Sequence, residues 1–115
     1  MDKVISFIKD NGAKNKLSDE VLEEYLYKHR AYKTCNILYD IDGEIEAISR
    51  WNVTEDTAHI LDVIIRKDCR NKGILKQLVK LGHKTFPDVI YITFERESRK
   101  DMKMRVYKIG RFING

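Results

Sequence analysis

Between residues 65 and 79 the chain reads Ile65-Arg66-Lys67-Asp68-Cys69-Arg70-Asn71-Lys72-Gly73-Ile74-Leu75-Lys76-Gln77-Leu78-Val79, apolar at its start, basic and glycine-containing in its middle, amphipathic at its end. Such a run passes from a strand through a turn into the first turn of a helix. There the backbone N–H groups point outward without intrahelical partners, and the helix dipole adds partial positive charge. With Arg70, Lys72 and Lys76 beside them, these amides make a cradle for a phosphate or pyrophosphate, so the predicted guest is an anionic cofactor. The plainer reading is a solvated helix start with ordinary basic residues, and R-x-x-G alone does not separate the two. Other reactive chemistry is sparse. Cys35 and Cys69 are the only cysteines; they form no CxxC pair and have no metal-ligand spacing around them, so no metal site is expected. Cys69 has no local histidine to activate it and is expected to pack.

The elements that must position this loop follow from periodicity. Val4, Ile5, Phe7 and Ile8 share one face of a short helix that Asn11-Gly12 stops. A second helix begins at Ser18 as N-cap, carries Asp19 and Glu20 in its first turn and Val21, Leu22, Tyr25 and Leu26 on one stripe, and runs to about Arg30. From Thr34 the period becomes two: Cys35, Ile37, Tyr39 and Ile41 lead to Asp42-Gly43, and Ile45, Ala47 and Trp51 resume beyond it, which predicts a hairpin. After a polar turn at 52–56, the almost unbroken apolar run from Ala58 to Ile65 predicts a central strand. The helix after the glycine turn has an inner stripe of Ile74, Leu75, Leu78, Val79 and Leu81 and ends near Gly82 to Pro87. Val89 to Phe94 then reads as a second buried strand, and the helical crossover makes the two strands parallel neighbours.

The chain has 115 residues, 43% of them apolar, which suits one domain over 1–115 with a single core. A formal charge of +4 favours anionic ligands or acidic partners but falls short of a dedicated nucleic-acid binder. No apolar run approaches the roughly 18 residues of a membrane span and no leader opens the chain, so a soluble, cytoplasmic protein without membrane contact and with reduced thiols is expected.

In its order of elements and its loop residues, the chain resembles the GNAT superfamily of acyl-CoA N-acyltransferases over roughly Lys33 to Phe94. In that family a strand leads to Arg/Gln-x-x-Gly-x-Gly/Ala at a helix start; the line here is Arg70-Asn71-Lys72-Gly73-Ile74-Leu75. The hairpin with Asp42-Gly43 at its tip is similar to the family's second and third strands. Arg105-Val106-Tyr107-Lys108-Ile109-Gly110-Arg111-Phe112 is a looser echo of its Tyr-x-x-x-Gly-Phe segment. Small phage-encoded members of the fold are a further comparison. Two departures stand out: Leu75 replaces a small residue that lets the pyrophosphate approach the backbone, and the chain stops almost where the family adds a final hairpin. The resemblance implies an α+β fold, GNAT-like and C-terminally shortened, with helices flanking a mixed, mostly antiparallel sheet that contains a parallel, splayed strand pair.

It also implies chemistry. An acetyl group would move from acetyl-CoA, a co-substrate, to a primary amine of a protein lysine or a small molecule. Val63, Ile64 and Ile65 would offer backbone groups to the pantetheine arm and thioester oxygen, while Arg70, Asn71, Lys72, Gly73, Ile74, Leu75 and Lys76 would hold the pyrophosphate. His59, with a suitable unperturbed pKa and sharing strand parity with Leu61, Val63 and Ile65, is the candidate base, unless it only pairs with a neighbour. Asp62, on the opposite face, is expected to pair with a basic residue of the N-terminal helices. Tyr107 matches the position from which family members protonate the leaving thiolate; its alternative is packing. The basic stretch Arg96, Arg99, Lys100, Lys103, Arg105, Lys108 and Arg111 suits a solvated face or the phosphoadenosine end of CoA. It also sustains the rival reading, a non-catalytic GNAT-fold protein that binds a macromolecule through this surface; direct nucleic-acid binding is the weakest reading. An exposed sheet edge would suit a homodimer.

Overall fold

The computed structural model describes residues 3–11, 18–70, 73–94 and 105–113. Helices α1 (Lys3–Asn11) and α2 (Asp19–Ala31) precede strands β1 (Cys35–Tyr39), β2 (Ile45–Thr54) and β3 (Thr57–Ile65). A 3-10 turn (Lys67–Cys69) leads to α3 (Ile74–Thr85), β4 (Tyr91–Phe94), β5 (Arg105–Lys108) and the short α4 (Gly110–Ile113). The five strands form one sheet in the order β1-β2-β3-β4-β5. Only the β3–β4 pair is parallel, joined by the α3 crossover, and β3 lies at the centre as its apolar composition requires. No helix among the described residues is long and apolar enough to cross a membrane.

Helices cover both faces. On one face Val4, Ile5, Phe7 and Ile8 of α1 and Leu22 and Leu26 of α2 bury against Ile45, Ile48 and Ile64. On the other, α3 and α4 pack over Trp51, Ala58, Ile60 and Ile92, with Ala47, Cys69, Ile74 and Leu78 forming an adjoining cluster. The predicted first helix has its predicted inner face; Asn11 ends it by donating its side-chain N–H to the Phe7 carbonyl at 3.1 Å, while Gly12 lies outside the described residues. Ser18 caps α2, its Oγ accepting the Val21 N–H at 3.3 Å.

Several expectations need correction. Val21 is 47% exposed; the inner stripe of α2 is Leu22, Leu26 and His29, a cleaner i, i+4, i+7 series. The side chain of Tyr25 is outside the description. Ile41 does not continue β1 and is fully exposed. The Asp40 carboxylate accepts the N–H groups of Asp42 (2.8 Å) and Glu44 (3.0 Å) and turns the chain there, with Gly43 at φ 80°. α3 ends at Thr85, within the expected stretch from Gly82 to Pro87, but Leu81 is not on its buried face. Gly82 sits inside the helix and is buried, in place of the expected Leu81, where the Trp51 indole closes on the helix. A Cβ at Gly82 would come closer than 3.0 Å to three indole carbons.

Candidate functional site

The site begins with the far part of β3, which among the described residues has no neighbour on its β4 side. Parallel pairing with β4 covers Thr57 to Ile60 against Tyr91 to Phe94, yet β3 continues to Ile65. Along its other side β3 is paired throughout with β2. The Arg66 N–H donates to the Glu46 carbonyl at 2.8 Å, and bonded residues alternate along an antiparallel ladder. Asp62 and Ile64 therefore turn their N–H groups toward β2, while Val63 and Ile65 turn theirs to the open side. The Val63 and Ile65 amides thus face the open side, whereas the Ile64 amide serves the ladder and its side chain packs with α1 and α2.

A bulge sits where the two parallel strands part. Arg50 pairs with Asp62 but Trp51 pairs with Ile60, leaving Leu61 as the extra residue of β3. This bulge overturns the parity expected for the strand. Ala58 and Ile60 face α3, as do Val63 and Ile65 beyond the bulge; His59 and Asp62 share the other face. The expected separation of His59 from Asp62, and its shared parity with Val63 and Ile65, are both wrong because one inserted residue reverses every side chain after it. Asp62 pairs with Arg50 of β2, through both carboxylate oxygens, rather than with a helix.

Beyond β3, one arginine organises the turn. Arg66 donates to Asp68 at 2.6 Å, to Asp40 at 3.0 Å and to the Ile45 carbonyl at 3.3 Å. Those hydrogen bonds raise the guanidinium pKa and hold the carboxyls of Asp40 and Asp68 below their ordinary range. The hairpin tip and the phosphate-loop candidate are thereby tied together, although Asp40 and Arg66 lie 26 residues apart and no spacing in the chain announces the pair. Cys69 is buried in the α3-side core, and burial raises its thiol pKa, which fits packing rather than attack.

Arg70 is exposed and reaches back to the Ile65 carbonyl at 3.4 Å, beside the open edge. Asn71 and Lys72 lie outside the described residues. Gly73 is the N-cap of α3 at φ 72°, a left-handed conformation that glycine adopts without strain, and nothing stands within 4 Å of where a Cβ would project. Among the described residues no side chain caps this helix start, and Gln77 N–H donates to the Gly73 carbonyl at 3.4 Å. The amides of Ile74 and Leu75 belong to the first turn, whose N–H groups point out of the helix. The Leu75 side chain packs against the cluster around Trp51 and Val79, so its bulk lies inward. Lys76 is exposed.

His59 and Tyr107 are not brought together. The His59 Nδ1 lies 2.6 Å from the Thr93 hydroxyl, on the sheet face opposite α3. Tyr107, on β5 opposite Ile92, belongs to the α3 face. Its ring meets Phe94 edge-on at 5.8 Å and Phe112 at 5.9 Å, and the Arg111 guanidinium lies 5.1 Å over it. The packing role and a polar edge for the phenol coexist in this arrangement. Of the basic C-terminal stretch, residues 95–104 are outside the description.

A mixed five-stranded sheet that opens between one parallel pair, beside an uncapped helix start that follows a glycine turn, is the architecture of the GNAT acetyltransferases, and this chain has that fold. No family model matches the sequence, and no curated protein matches it by sequence. Among solved structures, a point mutant of the spermidine N-acetyltransferase of Vibrio cholerae superposes with a TM-score of 0.63 at 13% identity, over 99% of this chain and 95% of that one. The CoA complex of the GNAT family N-acetyltransferase YhbS from Escherichia coli gives 0.59 at 9% identity, over 98% and 78%. The glucosamine-6-phosphate N-acetyltransferase of Arabidopsis thaliana gives 0.57 at 16% identity, over 82% and 73%.

Proposed function

We propose that this protein is an N-acetyltransferase that moves the acetyl group of acetyl-CoA to a primary amine. The observation that carries this reading is the open edge of β3, with the outward amides of Val63 and Ile65 leading directly to the uncapped start of α3. A likeness in fold to acetyltransferases, one of them solved with CoA, supports it, although shared fold does not by itself fix chemistry.

In this reading Gly73, the amides of Ile74 and Leu75, and the side chains of Arg70, Asn71, Lys72 and Lys76 hold the pyrophosphate. Leu75 leaves that approach open because its partly buried side chain turns toward the α3-side core. Acetyl-CoA supplies an activated thioester carbonyl. The Val63 and Ile65 amides orient the arm and accept the charge that develops on the thioester oxygen. His59 takes a proton from the acceptor ammonium; the nitrogen then forms its bond to the acetyl carbon as the carbon–sulfur bond breaks. Tyr107 gives its proton to the departing thiolate and recovers one, through solvent, from the nitrogen. The two groups lie on opposite faces of the sheet, which suits a ligand threaded through the opening: the amine arrives on the face of α1 and α2, and the thiol leaves on that of α3.

Calorimetric titration with acetyl-CoA, followed by thiol release with a panel of amines, tests the proposal. Saturable binding and amine-dependent thiol release are expected. Absence of binding would remove the cofactor reading, and binding without turnover of any amine would remove the catalytic one.

A further inference from the structure

A cavity of about 550 Å³ lies beyond the start of β1, between the C-terminal end of α2 and the edge of β2. That is within the size range of small-molecule sites. It exists because β1 begins at Cys35 while β2 runs on to Thr54, and Trp51 N–H donates to the Thr34 carbonyl at 2.8 Å where the two part. Its apolar side is formed by Leu61 and Phe86, with the fully buried Trp51 behind them, and its polar side by Lys28, His29 and Thr34. Leu61 is the bulge residue at the point where β3 and β4 separate, so the cavity reaches the residue at which the parallel pairing ends.

Its charge is one-sided. No described lining residue is a carboxylate. The Thr34 hydroxyl donates to the His29 carbonyl at 3.1 Å and therefore accepts from His29 Nδ1, 2.8 Å away. Burial, followed by the charges of Arg50 and Lys28, lowers the His29 pKa, which keeps the ring neutral. Arg50 is paired with Asp62. Lys28, exposed at the cavity wall, is the cation an entering molecule meets.

We infer that this cavity is the acceptor site, and that it takes a small amine joining an aromatic or branched apolar group to a carboxylate, of which the free aromatic amino acids are the simplest examples. The inference rests on the acetyltransferase reading above. The apolar group would lie over Leu61 and Phe86, the carboxylate against Lys28, and the amine would point past Leu61 toward the open strand. A polyamine brings further positive charge to Lys28 with no described carboxylate to receive it, and like charges in a partly desolvated site discriminate strongly.

The test compares phenylalanine, phenethylamine and spermidine as acceptors and, independently of turnover, measures binding of each to the protein saturated with CoA. Phenylalanine is expected to bind and react at least about tenfold better than phenethylamine, with spermidine the poorest. Lys28→Glu should remove that preference and leave CoA affinity unchanged. Preference for spermidine, or an unchanged ranking in Lys28→Glu, would overturn the inference while leaving the acetyltransferase reading intact. Absence of CoA binding in the unaltered protein would strike that reading instead, and the amine-binding ranking, measured then on the protein alone, would still decide the chemistry of the cavity.

Discussion

At the scale of single residues, Tyr107 separates a chemical role from a packing one. Its ring packs against Phe94 and Phe112, and phenylalanine would keep those contacts. Tyr107→Phe should therefore leave stability within about 0.5 kcal/mol and lower kcat by roughly 100-fold, with little change in KM for acetyl-CoA. An unaltered kcat in steady-state assays would leave Tyr107 with packing alone. Gly82 poses the opposite question, since nothing chemical depends on it. Alanine there gains about 1 kcal/mol of helix propensity, but its methyl would meet the fully buried Trp51 indole. Overpacking of that kind costs about 3 kcal/mol. Gly82→Ala should thus destabilise the fold by roughly 2 kcal/mol in urea denaturation, although the rule for exposed helix positions predicts a gain.

At the scale of elements, periodicity in the chain carried most of the information. The two N-terminal helices, the hairpin turn at Asp42-Gly43, the central β3 and the parallel β3–β4 pair were all legible, because each rests on local period or on the handedness of a crossover. Failures occurred where one residue of register matters. The Leu61 bulge cannot be read from alternation, since His59, Leu61, Val63 and Ile65 keep their spacing in the chain while changing faces in the sheet. The Arg66 staple was hidden because it joins distant turns. Ile41 failed for a related reason: it continues the alternation of β1, but the Asp40 side chain captures the backbone first. Two substitutions separate pattern from burial. Ile41→Ser should shift stability by less than about 0.5 kcal/mol. Ile48→Ala, at a position 1% exposed beneath α1 and α2, should cost about 3 kcal/mol. Similar losses for the two in chemical denaturation would mean that β1 extends through residue 41 in solution.

For the whole molecule, the two helical layers and the turns between them carry different titrating groups, so acid should weaken the fold in two stages. His29 is held between α2 and the sheet, facing Thr34, Lys28 and the Arg50–Asp62 pair, with its pKa below the ordinary 6.5 chiefly through burial. As pH falls below about 6.5 the unfolded chain takes up a proton that the folded chain refuses, and stability declines until the folded pKa is passed. Asp40 and Asp68 have folded pKa values below the ordinary 3.8 because Arg66 bonds to both. Their contribution is complete above about pH 4 and is lost as pH falls through those folded values. Melting temperatures followed from pH 8 to pH 3 should show both declines. His29→Gln should flatten the first and leave the second; Arg66→Met should weaken the second and leave the first. A first decline of undiminished slope in His29→Gln would assign it to another group, whereas loss of both declines in either variant would mean that the α2 layer and the Arg66 staple do not act as independent supports of the open edge between them.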